Sequence, residues 1–152
     1  MTDGVGGGNL LKEGKWAGWA EWPNRHPNTF HDAIGQSRMR IAGPNKAVVA
    51  LETRDTHRNR NGVLHGGFLA AFADHAFFAG LLVMGHEEHI NGVTIDLSMQ
   101  YLNAGAAGPD LWAEVELLRE TGRLFFLRML ILQEGKPVAA STATVRKAPV
   151  SR

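Results

Sequence analysis

Two periodicities organise the hydrophobic and polar positions of this chain, one typical of a helix and one typical of a strand. Residues 68–84 are mostly Ala, Leu, Phe and Val, with a single glycine, Gly80, and no proline, which predicts a helix buried nearly all round. Gly85 follows and is expected to end this helix. Over Val93–Tyr101 apolar and polar residues alternate strictly, which predicts a strand.

Further segments with strand-like patterns are bounded by residues typical of turns. They are 36–41, 46–52, 111–118, 124–133 and 138–146. The short connections between them predict antiparallel neighbours. One hydrophobic helix among five or six such strands is buried only if the sheet wraps around it. The predicted class is therefore α+β, a curved antiparallel sheet around one long central helix.

The N-terminal part of the chain has a different character. Leu11, Trp16, Trp19 and Trp22 are spaced as on one face of a short amphipathic helix, which predicts such a helix over residues 10–22, before two prolines. The predicted divisions are a tryptophan-containing N-terminal extension, 1–26, one folded domain, 27–148, and a tail, 149–152.

Composition narrows the possible chemistries and partners. Sixteen basic and fifteen acidic residues among 152 give a net charge of +1, so neither nucleic acid nor a membrane surface is an expected partner. The chain has no cysteine, which excludes disulfides, thiolate nucleophiles and cysteine-bound metals. No signal-peptide core and no uncharged segment of membrane-spanning length is visible, so a cytoplasmic location is expected.

The polar loop before the central helix carries the candidate chemistry. It ends in His65-Gly66-Gly67, where the backbone N–H groups of a helix start can bind an anion. Asp74 adds a carboxylate in an apolar stretch, where we expect it to be poorly solvated. By contrast, His86-Glu87-Glu88-His89 lacks two histidines four residues apart on a helix, and no metal site is predicted.

Several motifs together resemble the PaaI-type thioesterases of the hotdog-fold superfamily. The resemblance covers about residues 34–146. It rests on Asn59…Gly62-x-x-His65-Gly66-Gly67, on Asp74 nine positions after the histidine, on Val93-Thr94-Ile95-Asp96 and on Gly122-Arg123. It implies a hotdog fold, a dimer or tetramer, and hydrolysis of acyl-CoA thioesters with no cofactor other than the coenzyme A of the substrate.

The resemblance also gives the motif residues roles that their chemistry supports. The Gly66 N–H would stabilise the oxyanion, and Asp74 would act as general base or nucleophile, two roles that the sequence does not separate. Asn59 would orient the water or the acid, with Asn61 as a rival for that position. Thr94 would contribute a hydroxyl from the facing strand, and His65 would shape the turn more than it exchanges protons.

Helix geometry indicates that one chain does not make the site alone. Nine helical residues rise about 13 Å, so Asp74 cannot reach a carbonyl docked at Gly66 of its own helix. Two such helices laid antiparallel across a two-fold axis would bring Asp74 of one subunit beside His65 and Gly66 of the other. We therefore expect an active site at the interface of a homodimer, itself assembled into a homotetramer.

Substrate recognition is implied only in outline. The resemblance places coenzyme A contacts at five residues, Tyr101, Asn103, Arg119, Gly122 and Arg123, with the arginines as phosphate partners. The acyl pocket is expected between the two central helices, lined by Phe72, Phe77 and Phe78. Aryl and medium-chain acyl groups both remain open.

Two other functions remain possible at this point. A non-catalytic acyl-CoA binding protein could use the same fold, although it would gain nothing from an acid in an apolar helix. A dehydratase or hydratase would need an Asp–His or Glu–His pair. His75 follows Asp74 but points about 100° away around the helix, so we expect it at a subunit contact and not in such a pair.

Overall fold

One antiparallel sheet wraps around one long helix in the computed structural model, which describes residues 8–22 and 28–150. The elements in chain order are β1 (Asn9–Leu10), β2 (Ala20–Glu21), α1 (Phe30–Ile34), β3 (Ser37–Gly43), β4 (Lys46–Leu51), α2 (Gly66–Val83), β5 (Val93–Tyr101), β6 (Leu111–Glu120), β7 (Leu124–Gln133) and β8 (Lys136–Arg146). Short 3-10 turns span Asp55–His57 and Glu87–His89. The strand order is β1-β2-β3-β4-β6-β7-β8-β5. The expected α+β class is confirmed, with six long strands and two strands of two residues each.

Helix α2 fills the concave side of the sheet. Phe72 and Phe77 are completely buried against it, and a Cβ at Gly80 would lie 2.9 Å from a methyl carbon of Val115, so glycine permits the close approach of helix and sheet. By length and mean hydropathy, 1.5, α2 could cross a membrane, but 56% of it is buried inside the fold. Its apolar composition is accounted for by core packing.

One side of α2, at the β5 edge of the sheet, stays partly accessible. Its residues recur at spacings of three and four: Gly67, Ala70, Ala71, Asp74 and Phe78. Four of these five residues are small or apolar. This stripe offers a surface against which another helix can pack closely.

The predicted N-terminal helix over residues 10–22 is wrong. The segment doubles back, with the Leu11 N–H donating to the Trp19 carbonyl and the Gly18 N–H to the Leu11 carbonyl, both at 2.8 Å. Gly14 and Gly18 have φ of +77° and +82°, which a right-handed helix does not allow. A short helix occurs instead at α1.

Three tryptophans hold this segment on the convex face of the sheet. Trp16 and Trp19 are 7% and 8% exposed, and both rings pack against Trp112 of β6 with centroids 5.6 Å apart. The tryptophans therefore face a second, smaller apolar cluster on the side opposite α2.

Strand β5 forms one edge of the sheet. Within the described residues its only strand partner is β8. Val93, Ile95 and Tyr101 on this edge are 45%, 56% and 55% exposed. A long apolar edge with unpaired backbone groups is a template for pairing with a further strand.

Candidate active site

The His65-Gly66-Gly67 turn begins α2. His65 is the N-cap, and its Nδ1 accepts a hydrogen bond from the Gly67 N–H at 2.8 Å. The His65 N–H donates to the His57 carbonyl, also at 2.8 Å. The Gly66 N–H, next in line, has no acceptor among the described residues. The turn thus presents one backbone donor at the positive end of the helix dipole.

Tyr101, at the far end of β5, lies directly on this turn. Its hydroxyl donates to the Gly66 carbonyl at 2.9 Å. A Cβ at position 66 would lie 3.3 Å from the tyrosine ring, tighter than ordinary contact. Glycine therefore lets Tyr101 pack on the turn and fix its position.

Asn59 organises the loop that precedes the turn. Its Oδ1 accepts from the Asn61 N–H at 2.8 Å and from the Val63 N–H at 3.3 Å. Such a side chain imitates a backbone turn. Asn61 is exposed. Within this chain neither amide side chain is hydrogen-bonded to Asp74.

Asp74 is paired with Thr94. The Thr94 hydroxyl on β5 donates to Asp74 Oδ1 at 2.5 Å, and both residues are half-buried. The carboxylate lies on the accessible stripe of α2, so one oxygen is held while the carboxylate remains reachable. Asp74 and Thr94, which belong to two separate motifs of the sequence, are therefore in direct contact.

The two halves of the predicted site lie apart within the chain. Thr94 and Tyr101 are seven residues apart on one strand, about 23 Å at the rise of extended chain. Thr94 marks the end that holds Asp74, and Tyr101 marks the end that holds Gly66. One chain therefore presents a carboxylate at one end of its edge strand and the Gly66 backbone N–H at the other.

The predicted coenzyme A contacts are divided in the same way. Asn103, beside Tyr101, donates its side-chain amide to the Pro137 carbonyl at 2.7 Å. Arg119, Gly122 and Arg123 are exposed around the β6–β7 turn. Strand pairing places that turn at the Thr94 end, since the β8 residue opposite Leu124 is also opposite Val93.

The predicted acyl pocket between Phe72, Phe77 and Phe78 needs correction. Phe72 and Phe77 are wholly buried between α2 and the sheet. Their positions in the sequence place them on a different face of the helix from the accessible stripe. Phe78 alone of the three lies on that stripe.

His75 has its partners within the same chain. Its Nε2 is hydrogen-bonded to the buried Ser37 hydroxyl at 2.7 Å, and its ring lies 4.9 Å from that of His31 and 5.4 Å from that of Trp22. Burial, with a smaller contribution from the charge of His31, lowers the pKa of His75 to about 4. Ser37 is 0% exposed, and this pair ties β3 to α2, with the His31 ring of α1 packed against His75.

His57, which the sequence analysis did not identify, supports the His65-Gly66-Gly67 turn: its carbonyl accepts from the His65 N–H. Its ring stacks on that of Phe68 with centroids 3.9 Å apart and planes 8° from parallel. Burial, together with the charge of Arg54, lowers the pKa of His57. No local pattern could have identified it, because its partner at Ala33 is 24 residues away.

The His86–His89 segment lies against the core. Both histidine rings pack edge-on against Phe125, and His86 approaches Glu120 at 4.0 Å. Across residues 8–22 and 28–150, no group of three or more His, Asp or Glu side chains is arranged to hold a metal ion.

Comparison with known proteins gives a family and several relatives. The family model described as "Thioesterase superfamily" matches residues 61–140, a span that begins in the loop before α2 and ends within β8. Mouse acyl-coenzyme A thioesterase 13 is 26% identical over 97 residues, 64% of this chain and 68% of that protein.

Solved structures share the fold. A mutant of the phenylacetic acid degradation protein PaaI from Thermus thermophilus is 33% identical, with a TM-score of 0.65 over 78% of this chain and 98% of that one. A hypothetical thioesterase from Streptococcus pneumoniae, solved with coenzyme A, is 21% identical, with a TM-score of 0.64 over 75% and 91% of the two chains.

Proposed function

The chain belongs to the thioesterase superfamily, and from that premise we propose that it hydrolyses an aryl- or medium-chain acyl-CoA to the free acid and coenzyme A. The observation that carries this proposal is the hydrogen bond from Thr94 to Asp74. A carboxylate on the open stripe of an apolar helix, held by a neighbouring strand, is oriented for a reaction and contributes no ion pair to the fold.

Two subunits complete the site. Antiparallel pairing of two β5 edges across a two-fold axis sets the Thr94 end of one strand beside the Tyr101 end of the other. The accessible stripes of the two α2 helices then face each other. Asp74 of one subunit comes next to Gly66 of its partner, and the same pairing covers the exposed apolar edge of β5. We expect such dimers to assemble further into tetramers.

The chemistry requires a donor and a base on opposite sides of the thioester carbonyl. The Gly66 N–H binds the carbonyl oxygen and stabilises the tetrahedral oxyanion. As general base, Asp74 takes a proton from the attacking water, and the proton then passes to the departing thiolate of coenzyme A. As nucleophile, Asp74 would attack the carbonyl carbon and expel the thiolate of coenzyme A. Water would then hydrolyse the resulting mixed anhydride to the free acid and regenerate the Asp74 carboxylate.

The remaining motif residues act around these two groups. His65 and Tyr101 hold the Gly66 peptide in place through the hydrogen bonds at either side of it. Asn59 fixes the loop with its oxygen, which leaves its NH₂ group to orient water or the acid. The paired subunits also bring Tyr101 and Asn103 of one chain towards Arg119, Gly122 and Arg123 of the other, where coenzyme A would lie.

Two comparisons support the substrate class. The mouse relative is named an acyl-coenzyme A thioesterase, and the streptococcal structure with the same fold contains coenzyme A. A dehydratase is less well supported, because the partner of Asp74 is a threonine and not a histidine.

Release of free thiol from a panel of aromatic and aliphatic acyl-CoAs tests the proposal. Wild type should turn over at least one substrate, and Asp74→Asn should lose two or more orders of magnitude in kcat, with binding retained. Glu114→Gln, which neutralises an exposed carboxylate on β6, is the matched control and should behave as wild type. Binding without turnover by wild type would contradict a thioesterase and favour an acyl-CoA binding protein.

A further inference from the structure

An apolar cleft of about 310 Å³ opens beside the His65-Gly66-Gly67 turn. It lies between α1, the Asp55–His57 turn and the first turns of α2. Its apolar wall is formed by Phe30, Ala33, Ile34, Phe68 and Ala71. Its polar rim includes His65.

The mouth of the cleft coincides with the proposed oxyanion site. His65 and Gly67 line it, and these two residues flank the Gly66 N–H that would bind the thioester carbonyl. A carbonyl on that donor therefore has its acyl group at the entrance of an apolar space.

Helix α1 closes the cleft and is firmly held. The guanidinium of Arg54 donates to the carbonyls of Asp32 and Ala33, the latter at 2.9 Å. His57 Nδ1 accepts from the Arg54 N–H at 3.1 Å, and its Nε2 lies 3.1 Å from the Ala33 carbonyl and 3.2 Å from Arg54 Nε. These contacts with the end of one short helix make it a fixed wall.

We propose that α1 sets the upper limit of acyl length, with Phe30 and Ala33 as the specificity-determining residues. The inference rests on the proposed thioesterase function and extends it. α1 lies outside residues 61–140, so the part of the chain shared with the family does not contain this wall.

The volume of the cleft gives the limit. That volume, about 310 Å³, is finite, so the cleft accepts an acyl chain only up to a certain length. Up to that length each buried methylene should raise kcat/KM about fourfold, and longer chains should gain nothing or clash with the wall. The optimum should therefore lie at an intermediate chain length, with palmitoyl-CoA past it.

Two substitutions on α1 move the limit in opposite directions. Phe30 is 68% exposed, so Phe30→Ala opens the wall at little cost to folding and should extend the optimum by several carbons. Ala33 is exposed as well, and Ala33→Leu places about three more carbon atoms in the cleft and should shorten the optimum by about that number. Ile41→Ala, at an exposed apolar residue on β3, is the matched control.

The experiment measures kcat/KM for butanoyl- to palmitoyl-CoA with the four proteins, and binding of the same thioesters by calorimetry. Opposite shifts of the optimum in the two α1 variants, with the control unchanged, support the inference. Equal chain-length profiles in all four proteins overturn it, even when wild type is an active thioesterase. If wild type binds acyl-CoAs without turnover, the proposed function fails. The role of α1 is then tested by calorimetry: opposite shifts of the best-bound chain length in the two α1 variants support it, and equal profiles overturn it.

Discussion

Replacing Thr94 by valine removes the hydrogen bond to Asp74 with almost no change in side-chain shape. In wild type the hydroxyl donates to Asp74 Oδ1 at 2.5 Å, between a half-buried residue of β5 and one of α2. The valine variant should fold normally. Its carboxylate, however, is free to rotate along the open stripe of α2, so the rate should fall although the acid is still present.

The size of the effect follows from the type of hydrogen bond. A bond to a charged group contributes about 1.5–3 kcal/mol, and partial exposure of Asp74 favours the lower part of that range. About 1.5–2 kcal/mol corresponds to a 10- to 30-fold decrease in kcat. KM should change less than twofold, because the hydroxyl orients the acid and does not hold coenzyme A.

Steady-state thiol release measures this decrease. Thr94→Ser keeps the hydroxyl and should retain most of the wild-type kcat, whereas Thr142→Val, the same change at an exposed threonine of β8, should have no effect. A kcat for Thr94→Val within twofold of wild type, or a serine variant as slow as the valine variant, would refute this role of Thr94.

Three further predictions concern the fold, its pH dependence and the substrate. Trp19→Ala should lower the free energy of unfolding by about 3–5 kcal/mol in urea titrations without changing kcat, because Trp19 is 8% exposed in the cluster opposite α2. As the pH falls from 6.5 to 4, the free energy of unfolding of wild type should decrease by up to about 3 kcal/mol. The reason is that native His75, with a pKa of about 4, stays neutral while the same histidine in the unfolded chain takes up a proton. His75→Gln should make the free energy of unfolding less dependent on pH over this range. Arg123→Gln should raise KM roughly fivefold at constant kcat in salt-controlled kinetics, since an exposed arginine contributes about 1 kcal/mol to phosphate binding.

The regular part of the fold was predictable because its pattern is redundant. The central helix was expected over 68–84 and occurs at Gly66–Val83, and the strand expected over Val93–Tyr101 has the bounds of β5, although an irregularity between Thr94 and Asp96 interrupts the alternation. The N-terminal segment was not predictable in this way. The spacing of its tryptophans fits a helix face, but it equally suits a doubled-back chain on a sheet, and only the backbone angles at Gly14 and Gly18 decide between the two.

The motifs and helix geometry predicted part of the arrangement at the candidate site. They selected Asp74, Gly66 and Thr94; the structure brings Asp74 and Thr94 into contact and, as the rise of a helix implied, leaves Gly66 at the other end of β5. The catalytic roles of these residues stay predictions. The supports of the site were missed because they come from distant parts of the chain. Ser37 and His75 are 38 residues apart, and Ala33 and His57 are 24 apart, so no local spacing indicates that they touch.

A proline at position 66 removes the proposed oxyanion donor, and the Tyr101 ring must give way by a few tenths of an ångström because a Cβ at position 66 lies 3.3 Å from it. Gly66 is the first residue of α2, where proline is well tolerated, and His65 has the extended conformation, ψ 134°, that proline requires before it. Gly66→Pro should therefore lower kcat by about two to three orders of magnitude. Together with Asp74→Asn it provides two inactive chains with complementary defects.

The activity of a purified heterodimer of these two chains tests most directly whether two subunits share one site. Each variant carries its own affinity tag, so dimers that contain one of each are isolated after co-expression. Such a dimer has one site with both Asp74 and the Gly66 N–H intact and one site with neither, and we predict about half the wild-type activity per dimer. A heterodimer as inactive as the two homodimers would contradict the shared site.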